Sequence, residues 1–404
     1  MTAATTIVTE RRRLTAIRAA WLFDGTSPEL LPDPTVVLDG STIRSVGSAA
    51  AVPDGAMVVD LAGATLLPGL VDGHVHLIFD ASADPVSALA GRDDAAAFAA
   101  MMRHARAAAR GGVTTVRDLG DRGYLALGLR RAAATDPTLP YILAAGPPIT
   151  TPGGHCHYLG EGAAGVDGVR AAVRAHAERG VDIIKIMASG GNTTPGSRPE
   201  LPQYGLAELR AAADEARRHN LPITAHAHAT QAIVDGLAAG IDSFEHLTFM
   251  TADGVDPIPD EVLTALVRQG VTVGMTVGIA LVPGAVRPPG MEARMPAMVA
   301  NGRRMFAAGV NMIAGTDAGI APIKPPDVIR WAVPQFQQVG MTAAEALHAC
   351  TARAATALGL GHRKGQLRPG YDADILAVDG DPLSDPAALH AIRTVYVRGT
   401  ALTP

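Results

Sequence analysis

The chain has 404 residues, 48% of them apolar and 18% charged, which is ample material for a large buried core. Its formal net charge is −5 and its basic residues are scattered, so no nucleic-acid footprint is expected. No stretch has the uninterrupted apolar length of a membrane span. The two cysteines, Cys156 and Cys350, cannot build a disulfide framework and fit a reducing compartment.

At the N-terminus, Arg11, Arg12 and Arg13 are not followed by the apolar core of a secretory signal, so a cytoplasmic protein is expected. Leu14–Phe23, Thr35–Leu38 and Thr42–Val46 then read as short strands, broken by Asp24-Gly25 and Asp39-Gly40. The far C-terminus has the same character in Asp374–Val378 and Ile392–Val397, with Asp379-Gly380-Asp381-Pro382 between them. Neither end could hold a sheet alone. The two are expected to pair into one small β-sandwich, with residues 1–65 as its first part and 363–404 as its second.

Residues 66–362 alternate differently. Short β-branched runs recur at Thr65–Leu77, Val113–Leu119, Tyr141–Ala145, Ile183–Met187, Pro222–His228, Ser243–His246, Val271–Met275 and Met312–Thr316. Helix-forming stretches such as Ala95–Arg110, Val169–Arg179, Leu206–Asn220 and Asp260–Gln269 separate most of them. Strand–helix alternation implies a parallel sheet with right-handed crossovers. About eight such units predict an α/β chain with a (β/α)8 TIM-type barrel. A doubly wound sheet is the rival, but no Gly-x-Gly-x-x-Gly turn follows an early strand.

On a barrel, chemistry sits at the C-terminal ends of the strands, and there the ionisable residues concentrate. His74 and His76 end the first strand and, two apart, point to the same face. A lone buried histidine is usually a hydrogen-bonded core residue. Two together cost too much desolvation without a partner, and a metal is the simplest one. Asp317 ends the eighth strand between glycines; helix capping would account for it alone, but not for its convergence with His74, His76 and His246. Lys185 lies in a strand that ought to be buried, where a charged amine is disfavoured unless paired or shifted in pKa. A neutral amine there can take up carbon dioxide to give a carbamate. Cys156, between His155 and His157, reads as a small loop residue in preference to a ligand.

These residues resemble the amidohydrolase superfamily along essentially the whole chain. The pattern runs through Pro68-Gly69-Leu70-Val71-Asp72-Gly73-His74-Val75-His76 and Gly112-Val113-Thr114-Thr115-Val116-Arg117-Asp118. It continues in Ile184-Lys185-Ile186-Met187-Ala188-Ser189-Gly190-Gly191, Ala225-His226-Ala227-His228, Glu245-His246, Gly315-Thr316-Asp317 and Gly370-Tyr371-Asp372-Ala373-Asp374. The chain is most similar to the metal-dependent dipeptidase or prolidase-like branch. That branch is related to imidazolonepropionase and includes enzymes acting on N-acyl amino acids, ochratoxin-type amides and some carbamate or urea pesticides.

The resemblance implies a binuclear site. His74, His76 and Asp317 would hold one divalent cation, His226 and His246 the other, with carboxylated Lys185 and a hydroxide bridging them. Zinc is the default metal for such donors. Geometry alone leaves His226 and His228 open as ligand; the family pattern selects His226 and leaves His228 to the substrate carbonyl. The implied reaction is hydrolysis of an amide C–N bond in a dipeptide, N-acyl amino acid or related amide or carbamate, with Asp317 as proton shuttle. The substrate would be a small molecule, and the family often forms homo-oligomers.

Substrate contacts are expected from His155 and His157 in the Gly153-Gly154-His155 loop, from Tyr204 and from Arg117, with Val277–Met295 as a loop over the site. Packing would equally explain Tyr204, and an internal Arg–Asp pair, Asp118 standing next to it, would explain Arg117. Two rivals remain. A mononuclear deaminase or cyclic-amide hydrolase would leave Lys185 without a role, and the superfamily's deaminases usually carry a glutamate where Ala229 stands. A catalytically inactive scaffold would have lost ligands that are all present here.

Overall fold

The computed structural model describes residues 14–48, 52–284 and 290–403; Arg11–Arg13 lie outside the described residues. The strands, in chain order, are β1 (Thr15–Leu22), β2 (Leu31–Pro32), β3 (Pro34–Asp39), β4 (Thr42–Ser48), β5 (Met57–Pro68), β6 (Leu70–Val75), β7 (Val113–Asp118) and β8 (Tyr141–Ala144). They continue as β9 (Ile184–Met187), β10 (Ile223–Ala229), β11 (Ser243–Met250), β12 (Thr272–Met275), β13 (Asn311–Ala314), β14 (Ile375–Asp379), β15 (Ile392–Val397) and β16 (Thr400–Leu402).

Strands from both ends of the chain share one mixed sheet, in the order β16-β15-β14-β5-β1-β3-β4, with β2 pairing to β1. A sandwich is the expectation; the ladder observed is one continuous sheet. β5 joins the halves, running parallel to β1 and antiparallel to β14. Successive side chains of a strand face opposite sides. Ile375 and Ala377 therefore enter a core with Ile17, Val36 and Leu66, while Leu376 and Val378 join the main core. Lys364 ties this joint: its buried Nζ lies 2.8 Å from Asp372 and 2.6 Å from Asp374, and Arg363 grips Asp372 through both Nε and Nη2. This accounts for the acidic residues of the Gly370–Asp374 motif.

The run expected as one strand over Thr65–Leu77 is split. Pro68-Gly69 ends β5 in the terminal sheet, and β6 starts a parallel one. Proline supplies no ladder donor, and a Cβ on Gly69 would overlap the Thr114 side chain.

The eight remaining parallel strands form two ladders, β6-β7-β8 and β13-β12-β11-β10-β9. Isolated parallel bridges join them at both margins, Ile149 with Ile186 and Val75 with Ala318. At the second margin, Asp317 N donates to His74 O at 2.7 Å and His76 N to Ala318 O at 2.9 Å. Helices separate most of the strands, among them Asp94–Arg110, Gly165–Arg179, Leu206–Arg218 and Asp260–Arg268. Met291–Ala307 is also helical, which corrects the C-terminal end of the loop expected over Val277–Met295; residues 277–284 carry neither helix nor strand, and residues 285–289 lie outside the described residues. No helix among the described residues is long and apolar enough to cross a membrane.

Candidate metal centre

The parallel strands bring two triads of donors together at their C-terminal ends: His74, His76 and Asp317, and His226, His228 and His246. Within each triad the candidate ligand atoms lie within 4.8 Å of one another. His74 Nε2 is 3.2 Å from His76 Nε2, and Asp317 Oδ1 lies 3.5 Å and 3.2 Å from these two nitrogens. In the second triad the ring centroids stand 4.5 to 4.6 Å apart. His74 and His246, with centroids 5.2 Å apart, connect the two.

Two of these residues lie in sparsely populated backbone conformations. His246 has φ 72° and Asp317 φ 62°, a region that side chains other than glycine rarely enter and that costs about 1–3 kcal/mol per residue. The strain falls where the strands deliver their donors. Glycine supplies the close approach beneath them: a Cβ on Gly274 would overlap the Glu245 carboxylate.

The histidine surroundings leave one ring nitrogen of each available. His76 Nδ1 donates to Gly120 O at 3.1 Å and His226 Nε2 to Gly190 O at 3.0 Å. A carbonyl only accepts, so His76 Nε2 and His226 Nδ1 keep their lone pairs. His228 Nδ1 meets Thr248 Oγ1 at 2.8 Å and His246 Nδ1 meets Thr276 Oγ1 at 2.6 Å, leaving both Nε2 atoms. Burial lowers the basicity of His74 and His228 to about 4, and holds His226 and His246 well below the usual imidazole range. For His76 burial acts the same way, but the Asp317 carboxylate outweighs it and raises that imidazole, whose proton a cation would displace. Burial works against ionisation of Asp317 as well, yet His74 and His76 outweigh it and keep this carboxyl far below the carboxylate range. Neutral imidazoles and an ionised carboxylate are the forms that bind a cation.

Lys185 lines the same cavity. It is 1% exposed, and its Nζ has no hydrogen-bond partner among the described residues. Burial pushes the amine down to about 8, against the pull of Glu245 and Asp317. A long amine buried beside two donor triads without a partner is costly as it stands. The donor set and this orphaned atom together fit a pair of divalent cations with an anionic bridge.

Besides His228, which belongs to the second triad, the structure brings one of the residues expected at the substrate to the site. His155 is 4% exposed, lines the cavity and places its ring 4.8 Å from His226. The others sit elsewhere. His157 is exposed, with Nδ1 on Gly154 O. Tyr204 is buried and donates to Ala163 O at 2.8 Å. Arg117 lies beneath His74, donating through Nε to Gly73 O at 2.6 Å and through Nη2 to Glu245 at 2.8 Å. None of the three lines the cavity.

Glu245 is the residue that sequence reasoning passed over. It is fully buried, accepts from Arg117 and from Thr224 Oγ1 at 2.8 Å, and sets Oε2 3.2 Å from His74 Nδ1. Burial opposes its ionisation, but Arg117 and then His74 hold its carboxyl at about 2. Its adjacency to His246 was the available signal. Removing the guanidinium in Arg117→Met strands a buried carboxylate, which costs about 3–5 kcal/mol. Denaturant unfolding of metal-free protein at neutral pH should show that loss; unchanged stability with a raised KM would instead return Arg117 to the substrate.

The chain is similar to known proteins along nearly its whole length. The sequence profile of the amidohydrolase family matches residues 65–402. Ochratoxinase of Aspergillus niger is 30% identical over 93% of this chain and 83% of its own. Imidazolonepropionase of Deinococcus deserti is 26% identical over 92% of each chain. A solved Xaa-Pro dipeptidase with bound methionine in its active site superposes with a TM-score of 0.84 at 26% identity, covering 96% of this chain and 99% of that one.

Proposed function

Because the chain belongs to the amidohydrolase family, we propose that it is a binuclear metal-dependent hydrolase of amide C–N bonds. The observation that carries this reading is the pair of donor triads sharing a cavity with the unpartnered Lys185 amine. His74, His76 and Asp317 would hold one cation and His226 with His246 the other, zinc being the metal that suits these donors. Lys185 would serve both as a carbamate: its neutral amine adds to carbon dioxide, an N–C bond forms and one proton leaves. When bound, two such cations supply Lewis-acid polarisation of the scissile carbonyl and acidify the attacking water.

The chain's own groups do the rest. Asp317 is ionised at neutral pH and can take the proton of the attacking water, then hand it to the leaving nitrogen, which is a poor leaving group until protonated. His228, the third member of the second triad, would stay off the cation and keep its Nε2 free to meet the substrate carbonyl oxygen. His155 lines the same cavity and is the candidate for a substrate carboxylate or carbonyl. Glu245 orients His74 from behind, and Thr248 and Thr276 do the same for His228 and His246, so the rings need little reordering at the moment of reaction.

We read residues 66–362 as a (β/α)8 barrel, since the three-strand and five-strand ladders bridge at both margins. Residues 1–65 and 363–404 would be the two parts of one small β domain built on the shared mixed sheet. The substrate would be a small amide, such as a dipeptide, N-acyl amino acid or carbamate, met by a cytoplasmic homo-oligomer. A panel of dipeptides, N-acyl amino acids and aryl amides tests the reading. Turnover of at least one member is expected, abolished by a chelator and restored by zinc; turnover indifferent to chelation would overturn it.

A further inference from the structure

The cavity that holds the donor triads extends well beyond them, to about 770 Å³, near the upper range of small-molecule sites. Its remaining wall has an unusual composition. Seven of the thirteen methionines line it. Met187, Met250 and Met275 belong to the parallel strands, and Met291, Met295, Met298 and Met305 come from the helix Met291–Ala307.

The helical four recur at intervals of four, three and seven residues, which places them on one face of the helix. Asn301 and Val299 are the other residues of that helix lining the cavity, so none of its contributions there is charged. Glu292, Arg294, Arg303 and Arg304 of the same helix do not line it. Met291, Met295 and Met298 are only partly buried, an apolar face turned toward the space in which the reaction would occur.

The charged residues lining the cavity are engaged elsewhere. Lys185 and Asp317 belong with the histidines, Asp84 caps the helix Pro85–Ala90, and Lys324 donates to Gly278 O at 2.7 Å and Val277 O at 3.3 Å. A dipeptide with small or charged side chains would leave the methionine wall facing water. Methionine is unbranched and polarizable, so it fits irregular and variable apolar groups better than one rigid shape.

We propose that the substrate carries a bulky, uncharged apolar group next to its scissile amide, a long acyl chain or an aryl group, and that the methionine face of this helix binds it. This rests on the amide-hydrolase reading above and names the substrate class for that site.

The test is a homologous series of N-acyl amino acids from acetyl to dodecanoyl. kcat/KM should rise about fourfold for each added methylene until the cavity is filled, as apolar transfer dictates. The double substitution Met295→Asp and Met298→Asp should flatten that dependence, lowering the ratio of long-chain to acetyl turnover by at least tenfold. Calorimetric binding of the intact amides to the Asp317→Asn protein gives a readout independent of turnover, and affinity should climb with chain length in the same way.

Binding and turnover both indifferent to chain length would overturn the proposal. So would a preference for acetyl or charged acyl groups. Length-dependent binding with no hydrolysis of any member would uphold the apolar pocket and instead sink the hydrolase reading on which it rests.

Discussion

Lys185→Ala is expected to lower kcat/KM by about a thousandfold or more, which corresponds to roughly 4 kcal/mol of lost transition-state stabilisation. The reason lies in what Lys185 does not do for the fold. Its Nζ is buried and has no hydrogen-bond partner among the described residues, so no structural contact of the amine is lost. Its charge nevertheless reaches His74 of one triad and His226, His228 and His246 of the other. A group that bears on both triads and satisfies no neighbour is placed for a modified form. Lys185→Met keeps the aliphatic volume and discards the amine. Its metal-free protein should unfold at a denaturant midpoint equal to or above that of the wild type, because a buried polar group without a partner destabilises. In Lys185→Ala, millimolar short-chain carboxylic acids should restore part of the activity by placing a carboxylate where the carbamate stood. Activity of Lys185→Ala within tenfold of wild type would remove the bridging role altogether.

Asp317→Asn should lower kcat by about 10²–10⁴-fold, the usual contribution of a positioned proton carrier, with a much smaller change in KM. The substitution is chosen for the backbone. Asp317 sits at φ 62°, and asparagine is among the few residues that accept that conformation readily. A loss of activity would therefore report on the carboxylate and not on a disturbed turn. Asparagine also keeps an oxygen at the position 3.2 Å from His76 Nε2, so cation binding should weaken less than proton transfer. If kcat stayed within tenfold while metal content fell, Asp317 would be a ligand without a part in proton movement.

The donor residues were legible in the sequence because strand periodicity is simple. His74 and His76, and His226 and His228, are two apart and share a face wherever a strand runs through them. Lys185 announced itself as a charge inside an apolar strand. What periodicity could not show is who faces whom across the strands. Glu245 precedes His246, yet only the register, which sets His226 beside Glu245 and Ala227 beside His246, turns Glu245 inward beneath His74. That same burial claims Arg117, which a linear reading sends to the substrate. Tyr204 and His157 also lie off the cavity wall: proximity in sequence to a site loop says nothing of side-chain direction.

The fold was legible at the level of strand and helix alternation, less so at its joints. The terminal strands were expected to pair, but β5, Met57–Pro68, carries too weak an alternation to be read as the strand joining them. Pro68-Gly69 looks like part of one long run until the ladder shows two sheets meeting there. The left-handed backbone at His246 and Asp317 has no sequence signal, since neither position holds glycine.

Metal stoichiometry tests the central claim most directly. Wild-type protein purified with bicarbonate and excess zinc, then freed of loose metal, should carry two zinc ions per chain by elemental analysis, and Lys185→Ala clearly fewer under the same treatment. One ion per chain in both proteins would contradict the binuclear site, and none in either would contradict a metal centre at these residues.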